Sequence, residues 1–279
     1  MREEIQLTET IKEMLSLPFL VRALAAGVML SLCSSVLGVS LVLKRYSMIG
    51  DGLSHVAFGA LAVASALNFA PLYVALPVVV AAAFLLLRIS SSGRFGGDCA
   101  VALISTGSLA VGVTALSFSP RANTDLNSYM FGSVLALSRD DMILSAVLCS
   151  VVAILYVLFY NRIFAVTFDE TFARTAGIHA ELYNMMLAVL TAFTIVLGMR
   201  LVGALLISAL IIFPPLSSMR VFSRFRPVII CSALVSVVCF TSGIAASYFL
   251  ETPAGASVVC VNIAAFAVFA LIGKILHKY

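Results

Sequence analysis

Charge is what this sequence has least of. Asp, Glu, Lys and Arg make up 11% of its 279 residues and apolar residues 62%, against about 25% and roughly 45–50% in an ordinary soluble domain. The mean hydropathy of +1.13 follows from that imbalance. No polar stretch is long enough to fold as a soluble domain, so the chain reads as one membrane domain. Catalytic signatures are missing as well. There is no G-x-x-x-x-G-K-[ST] loop to hold ATP phosphates, and no H-E-x-x-H, G-x-S-x-G or paired catalytic aspartates to serve an intramembrane enzyme. Six cysteines stand singly in apolar runs without C-x-x-C or metal-ligand spacing, and read as small buried hydrophobes. The net charge of +4 needs no nucleic acid to explain it, because the basic residues fall in short loops.

What is present is a succession of apolar runs able to cross about 30 Å of hydrocarbon. They cover roughly 18–43, 51–69, 71–89, 97–118, 140–160, 184–201, 203–219, 227–249 and 255–273. The fold class is therefore all-α, a polytopic transmembrane bundle of about nine helices, with the Pro214-Pro215 pair and the short turn at Arg200 as the weakest boundaries. Residues 1–17 form a separate segment. Leu7, Ile11, Met14 and Leu15 share one helical face opposite Glu9 and Glu13, which predicts an amphipathic helix on the membrane surface. Its acidic residues precede the first apolar run, unlike a signal peptide.

Alternate loops divide the basic residues unequally. One set holds eleven: Lys44, Arg45, Arg88, Arg94, Arg162, Arg174, Arg220, Arg224, Arg226, Lys274 and Lys278. The other holds five: Arg2, Lys12, Arg121, Arg139 and Arg200. The excess of positive charge on cytoplasmic loops puts the first set inside the cell, the N-terminus outside and the C-terminus in the cytoplasm of a cell-membrane protein.

Two stretches carry chemistry. In GDGLSH, Asp51 and His55 stand at i and i+4, one turn apart on one helical face that continues through Phe58, Gly59, Ala62 and Ala66. A carboxylate oxygen and an imidazole nitrogen at that spacing can share a divalent transition metal. The same pair could instead make a hydrogen bond that fixes the start of the helix, where the macrodipole favours an anion. The small residues either admit a neighbouring helix or leave a pathway open. The second stretch is the cytoplasmic loop 161–184, longer than a turn requires. Asp169 there can cap a short helix bearing Phe172, Ala173 and Ala176 that stops at Gly177, a lever on which another protein could dock. His179 and His277 read as solvated surface, Asp98 as a cap of the fourth helix or a metal contact, and Asp125 as an outer residue that either meets a delivery protein or the entrance or caps its loop.

These stretches resemble a known family, the membrane permeases of ABC importers for zinc, manganese and iron. The resemblance is carried by LVLKRYSMIGDGLSHVAFG (41–59), NSYMFGSVLALS (127–138), FDETFARTAGI (168–178), VGALLISALIIFPPLSSMR (202–220) and ETPAGASVV (251–259), in the family's order. It implies the bundle shared by vitamin and metal ABC importer permeases, a homodimer, two copies of a separate ATPase, and an extracytoplasmic metal-binding protein. It maps metal contacts onto Asp51 and His55, and ATPase coupling onto Asp169, Glu170, Phe172, Ala173 and Gly177. It implies no permanently bound cofactor, only transported Zn²⁺, or Mn²⁺ or Fe²⁺, with zinc favoured. The other transport reading is a secondary transporter with Asp51 and His55 as a proton relay.

Overall fold

A computed structural model describes residues 18–91, 97–118, 130, 132 and 139–276, and every element in them is an α-helix. In chain order these are α1 (Pro18–Leu43), α2 (Ser47–Ala66), α3 (Pro71–Ser91), α4 (Gly97–Ser117), α5 (Arg139–Leu158), α6 (Tyr160–Phe168), α7 (Glu170–Thr175), α8 (Ala180–Val202), α9 (Ala204–Val221), α10 (Phe225–Leu250) and α11 (Ala254–Leu276). Among the described residues nine helices are long and apolar enough to span a membrane. The amphipathic segment expected at 1–17, Arg94, Arg121, Asp125, His277 and most of NSYMFGSVLALS lie outside the described residues.

The proline pair does not interrupt α9. Pro215 has no N–H to donate to the carbonyl of Ile211, and the space is filled from α1, where a Cβ added to Gly38 would lie 2.1 Å from that oxygen. The hydroxyls of Ser217 and Ser218 bond back to the carbonyls of Phe213 and Pro214 at 2.8 Å each, so both are satisfied within the helix. The expected long loop is also mostly helix. α6 and α7 occupy 160–175, and α8 begins at Ala180 rather than 184.

The most enclosed helices are α2 and α8, each with 72% of its most apolar stretch buried, against 22% for α3 and α4 and 17% for α11. α2 and α4 run parallel through a glycine seam: an added Cβ at Gly52 would meet Val101, one at Gly59 would meet the backbone of Ser108, and one at Gly112 would meet Gly59. Close backbone approach of this kind is how small residues hold membrane helices together. A hydrogen bond from Ser236 to the carbonyl of Ser31 (2.9 Å) ties α10 to α1, and Ser40 and Tyr156 join α1 to α5 at 2.5 Å.

The basic-rich junctions gather at one end of the bundle. There Lys44 meets Glu170 at 3.6 Å, Arg162 donates to Tyr183 at 2.7 Å, Arg226 lies 5.0 Å over the Tyr160 ring, and Gly273 packs on the backbone of Arg220. Arg88 lines a cleft with Glu170 and Arg174 at the same end. At the other end Arg200 pairs with Asp141 at 3.3 Å. Alternate junctions thus share an end, as the division of charge along the sequence requires.

Candidate functional site

The hairpin of α1 and α2 sets the site. α1 ends in a tight corner in which the Tyr46 amide bonds to the Leu41 carbonyl (2.8 Å) and the Arg45 amide to that of Val42 (3.0 Å). Arg45 takes the left-handed conformation (φ 61) that this helix ending needs. α2 then begins at Ser47, four residues before the expected start at 51, with Tyr46 at the cap and no side-chain capping bond. Asp51 therefore sits in the second turn, and no acidic residue occupies the first. The macrodipole acts within the first turn, so it does not account for the aspartate.

His55 Nε2 stands 3.7 Å from Asp51 Oδ2, and both side chains are more than a third exposed on the surface of this single chain. That separation exceeds the 2.7–3.2 Å of a hydrogen bond, which disfavours the pair as a mere fastening and gives a proton relay no direct bond to run along. It is close to what one shared ion requires. Bonds of about 2.0–2.2 Å from zinc to nitrogen and oxygen put two tetrahedral ligands roughly 3.4 Å apart.

Depth follows from the neighbours. An added Cβ at Gly50 would lie 3.2 Å from the Ile211 side chain, and Ile211 is near the midpoint of α9 (Ala204–Val221). Asp51 is thus at mid-depth of α9, although only four residues into α2. Ser54, buried at 1% exposure, donates its hydroxyl to the Asp51 carbonyl (2.7 Å), which leaves its oxygen to accept from Ser208 Oγ (2.9 Å). It pins the helix, with its hydroxyl engaged on both sides. Among the described residues no group of three or more His, Cys, Asp or Glu side chains could hold a metal, so an ion held here by one chain would meet only Asp51 and His55. Gly59 and Ala62 are buried in helix packing, and the small-residue face is a seam rather than a channel within the chain.

The second predicted element forms as its sequence suggests. Asp169 accepts the Phe172 amide at 2.8 Å and caps α7, and Gly177 ends it at φ +80. Ala173 is fully buried while Phe172 is 63% exposed, so one residue seats the helix and the other is presented outward. Glu170 is the hub. Its Oε1 takes Arg174 at 2.7 Å, and its Oε2 takes the Asn184 amide at 3.0 Å and faces Lys44. Burial pushes the Glu170 carboxyl up, but hydrogen bonds from Asn184 and Arg174 and the charges of Lys44 and Arg174 outweigh it, holding the group below its usual range. His179 is exposed at the N-cap of α8, and Asp98 is exposed in the first turn of α4. Sequence reasoning missed Lys44, Asn184 and Ser208, whose partners lie in other helices.

Comparison with known proteins places this architecture. Residues 16–273 match the ABC 3 transport family. The chain belongs to that family. This ABC 3 family member is 30% identical to the high-affinity zinc uptake system membrane protein ZnuB of Buchnera aphidicola, over 84% of this chain and 90% of that protein. It is 27% identical to the manganese transport system membrane protein MntC of Halalkalibacterium halodurans, over 94% of this chain and 89% of the other. The solved structure of PsaBC from Streptococcus pneumoniae in complex with Fab shares its fold at a TM-score of 0.84 and 24% identity, covering 94% of this chain and 95% of that one.

Proposed function

We propose that this chain is the permease subunit of an ABC importer that moves a divalent transition metal, zinc before manganese or iron, into the cytoplasm. The carrying observation is the Asp51–His55 pair, 3.7 Å apart, level with the middle of α9 and more than a third exposed on this chain. A site that must release its ion is better left incomplete, and a second copy of the chain would raise two ligands to four. A homodimer is therefore part of the reading. Mixed oxygen and nitrogen ligation suits zinc and manganese alike, with zinc bound more tightly at a given site. Likeness to zinc uptake relatives supports the same order.

ATP hydrolysis would fall to partner chains, a division of labour supported by the lack of a G-x-x-x-x-G-K-[ST] loop in this sequence. Two ATPases would dock on α7, where Phe172 is presented, and an extracytoplasmic binding protein would deliver the ion. The excess of basic residues at the α7 end supports a cytoplasmic position for it and an outward N-terminus. The test is zinc uptake into proteoliposomes holding the permease, its ATPase and its binding protein. Uptake should require ATP and be indifferent to a proton gradient. Uptake driven by the gradient without ATP would overturn the reading, and a strong preference for manganese would move the cargo.

A further inference from the structure

The helix α7 and the helix bearing Asp51 and His55 are joined by a polar bridge buried at its Lys44 end and partly exposed at Glu170. Lys44 closes α1, three residues before α2 begins, and its side chain is only 8% exposed. Its ammonium donates to Asn184 Oδ1 and faces Glu170 Oε2 at 3.6 Å, while Asn184 Nδ2 donates to the same carboxylate oxygen at 3.0 Å. One carboxylate therefore connects α7, the first turns of α8 and the α1–α2 corner. From that corner α2 runs without a break to Asp51 and His55, one and two turns along.

The bridge is not placed where stability alone would put it. Burial lowers the Lys44 pKa by more than the Glu170 charge and hydrogen bond raise it, so the ammonium is held there at a net cost. The neighbouring corner adds a left-handed arginine, a conformation that non-glycine residues adopt reluctantly. Buried ion pairs are weak sources of stability, and the use best attested for them is to fix register or serve a switch.

We propose that Lys44, through Glu170 and Asn184, is the positioning residue that carries displacement of α7 to the helix bearing Asp51 and His55. This rests on the importer reading above. The ATPase touches α7, α7 moves the corner, and the corner moves the metal ligands as one rigid helix.

The experiment compares the parental importer with Lys44→Met, Lys44→Arg and Asn184→Leu in the assembled complex with its ATPase and binding protein, using Zn²⁺ as the probe. Zinc uptake, ATP hydrolysis, the half-saturating zinc concentration and the thermal midpoint are read for each. Lys44→Met should keep the parental half-saturating concentration and rate of ATP hydrolysis, and because Glu170 retains its bonds from Arg174 and Asn184, the loss of one partner should lower the thermal midpoint only slightly. Its uptake per ATP should fall about tenfold, within the range usual for coupling between sites. Lys44→Arg, which can still reach Glu170, should recover most of the loss. Asn184→Leu should lose less than Lys44→Met, since the ion pair survives, and it decides the matter should Lys44→Met fail to assemble. Uptake per ATP within about twofold of the parent in these variants would overturn the proposal. So would hydrolysis, uptake and midpoint falling together, which is the mark of a structural role. A parental complex that hydrolyses ATP without moving zinc would instead refute the importer reading.

Discussion

Gly59 and Gly107 face opposite fates on gaining a methyl group, and the pair tests whether the site helix is held by backbone contact. Both lie inside helices, Gly59 in α2 and Gly107 in α4. A Cβ at Gly59 would sit 2.4 Å from the carbonyl oxygen of Ser108, whereas one at Gly107 meets nothing within 4 Å. Ordinary contact begins at 3.4 Å, so Gly59→Ala must drive α2 and α4 apart by about 1 Å, and overpacking of this order costs roughly 1–3 kcal/mol. Alanine is favoured over glycine inside a helix by up to about 1 kcal/mol, which Gly107→Ala keeps in full. The two variants should differ by roughly 2–4 kcal/mol, a separation on the order of 5–15 °C in thermal midpoint for a chain of this size. Unfolding of the purified permease in detergent, followed by fluorescence of a thiol-reactive dye, reads it directly. Gly107→Ala at or above the parent and Gly59→Ala well below it is the expected result. Equal midpoints would refute the seam, and with it the claim that direct contact with α4 fixes the position of Asp51 and His55.

Asp51→Ala and His55→Ala should each cut zinc uptake by more than the 10–100-fold usual for losing an outer-shell partner, with normal amounts of assembled complex; parental transport by both would remove them from the pathway. Phe172→Ala, which loses an exposed ring, should leave the permease midpoint unchanged and weaken ATPase association, measured by co-purification. Because its pKa is depressed in the folded protein, the stabilisation Glu170 contributes is present above the ordinary carboxylate value of about 4.3 and is lost as pH falls through the lower folded value. Protease cleavage near Gly177 should therefore rise only below about pH 4, and Glu170→Gln should cleave alike on both sides of that window.

Local signals were the legible ones. The i, i+4 spacing of Asp51 and His55 needs only helical geometry, and Asp169 and Gly177 mark the ends of α7 by the chemistry of a single turn. The start of α2 was not legible, since Tyr46 caps it without a side-chain bond, leaving Gly50-Asp51 as the nearest signal and an incorrect one. The Pro214-Pro215 pair read as a break because the element that accommodates it, Gly38, lies in another helix. Lys44 and Asn184 are separated by 140 residues, and nothing in either neighbourhood announces the other. A lysine beside an arginine at the end of an apolar run reads as an orientation signal, and that reading holds whether or not its ammonium is buried.

Ile211 shows why the Asp51–His55 pair sits on a hairpin rather than on an isolated helix. Its carbonyl, freed by Pro215, receives Gly38 of α1, and its side chain receives Gly50 of α2. Both arms of the hairpin thus rest on one residue at the middle of α9, through glycines that present backbone and no interlocking side chain. Beside this bearing, the Ser54–Ser208 contact is a single hydroxyl pair, an interaction worth about 1 kcal/mol and readily remade with water. Contacts of that kind hold a helix in place without locking its rotation, whereas the α2–α4 seam at Gly59 and Ser108 is tight. Gly38 approaches Ile211 more closely still, so α1 stays with α9, and a push at Lys44 would accordingly move α2 and α4 together past the Ile211 side chain, carrying Asp51 and His55 relative to α9 while they keep their own spacing.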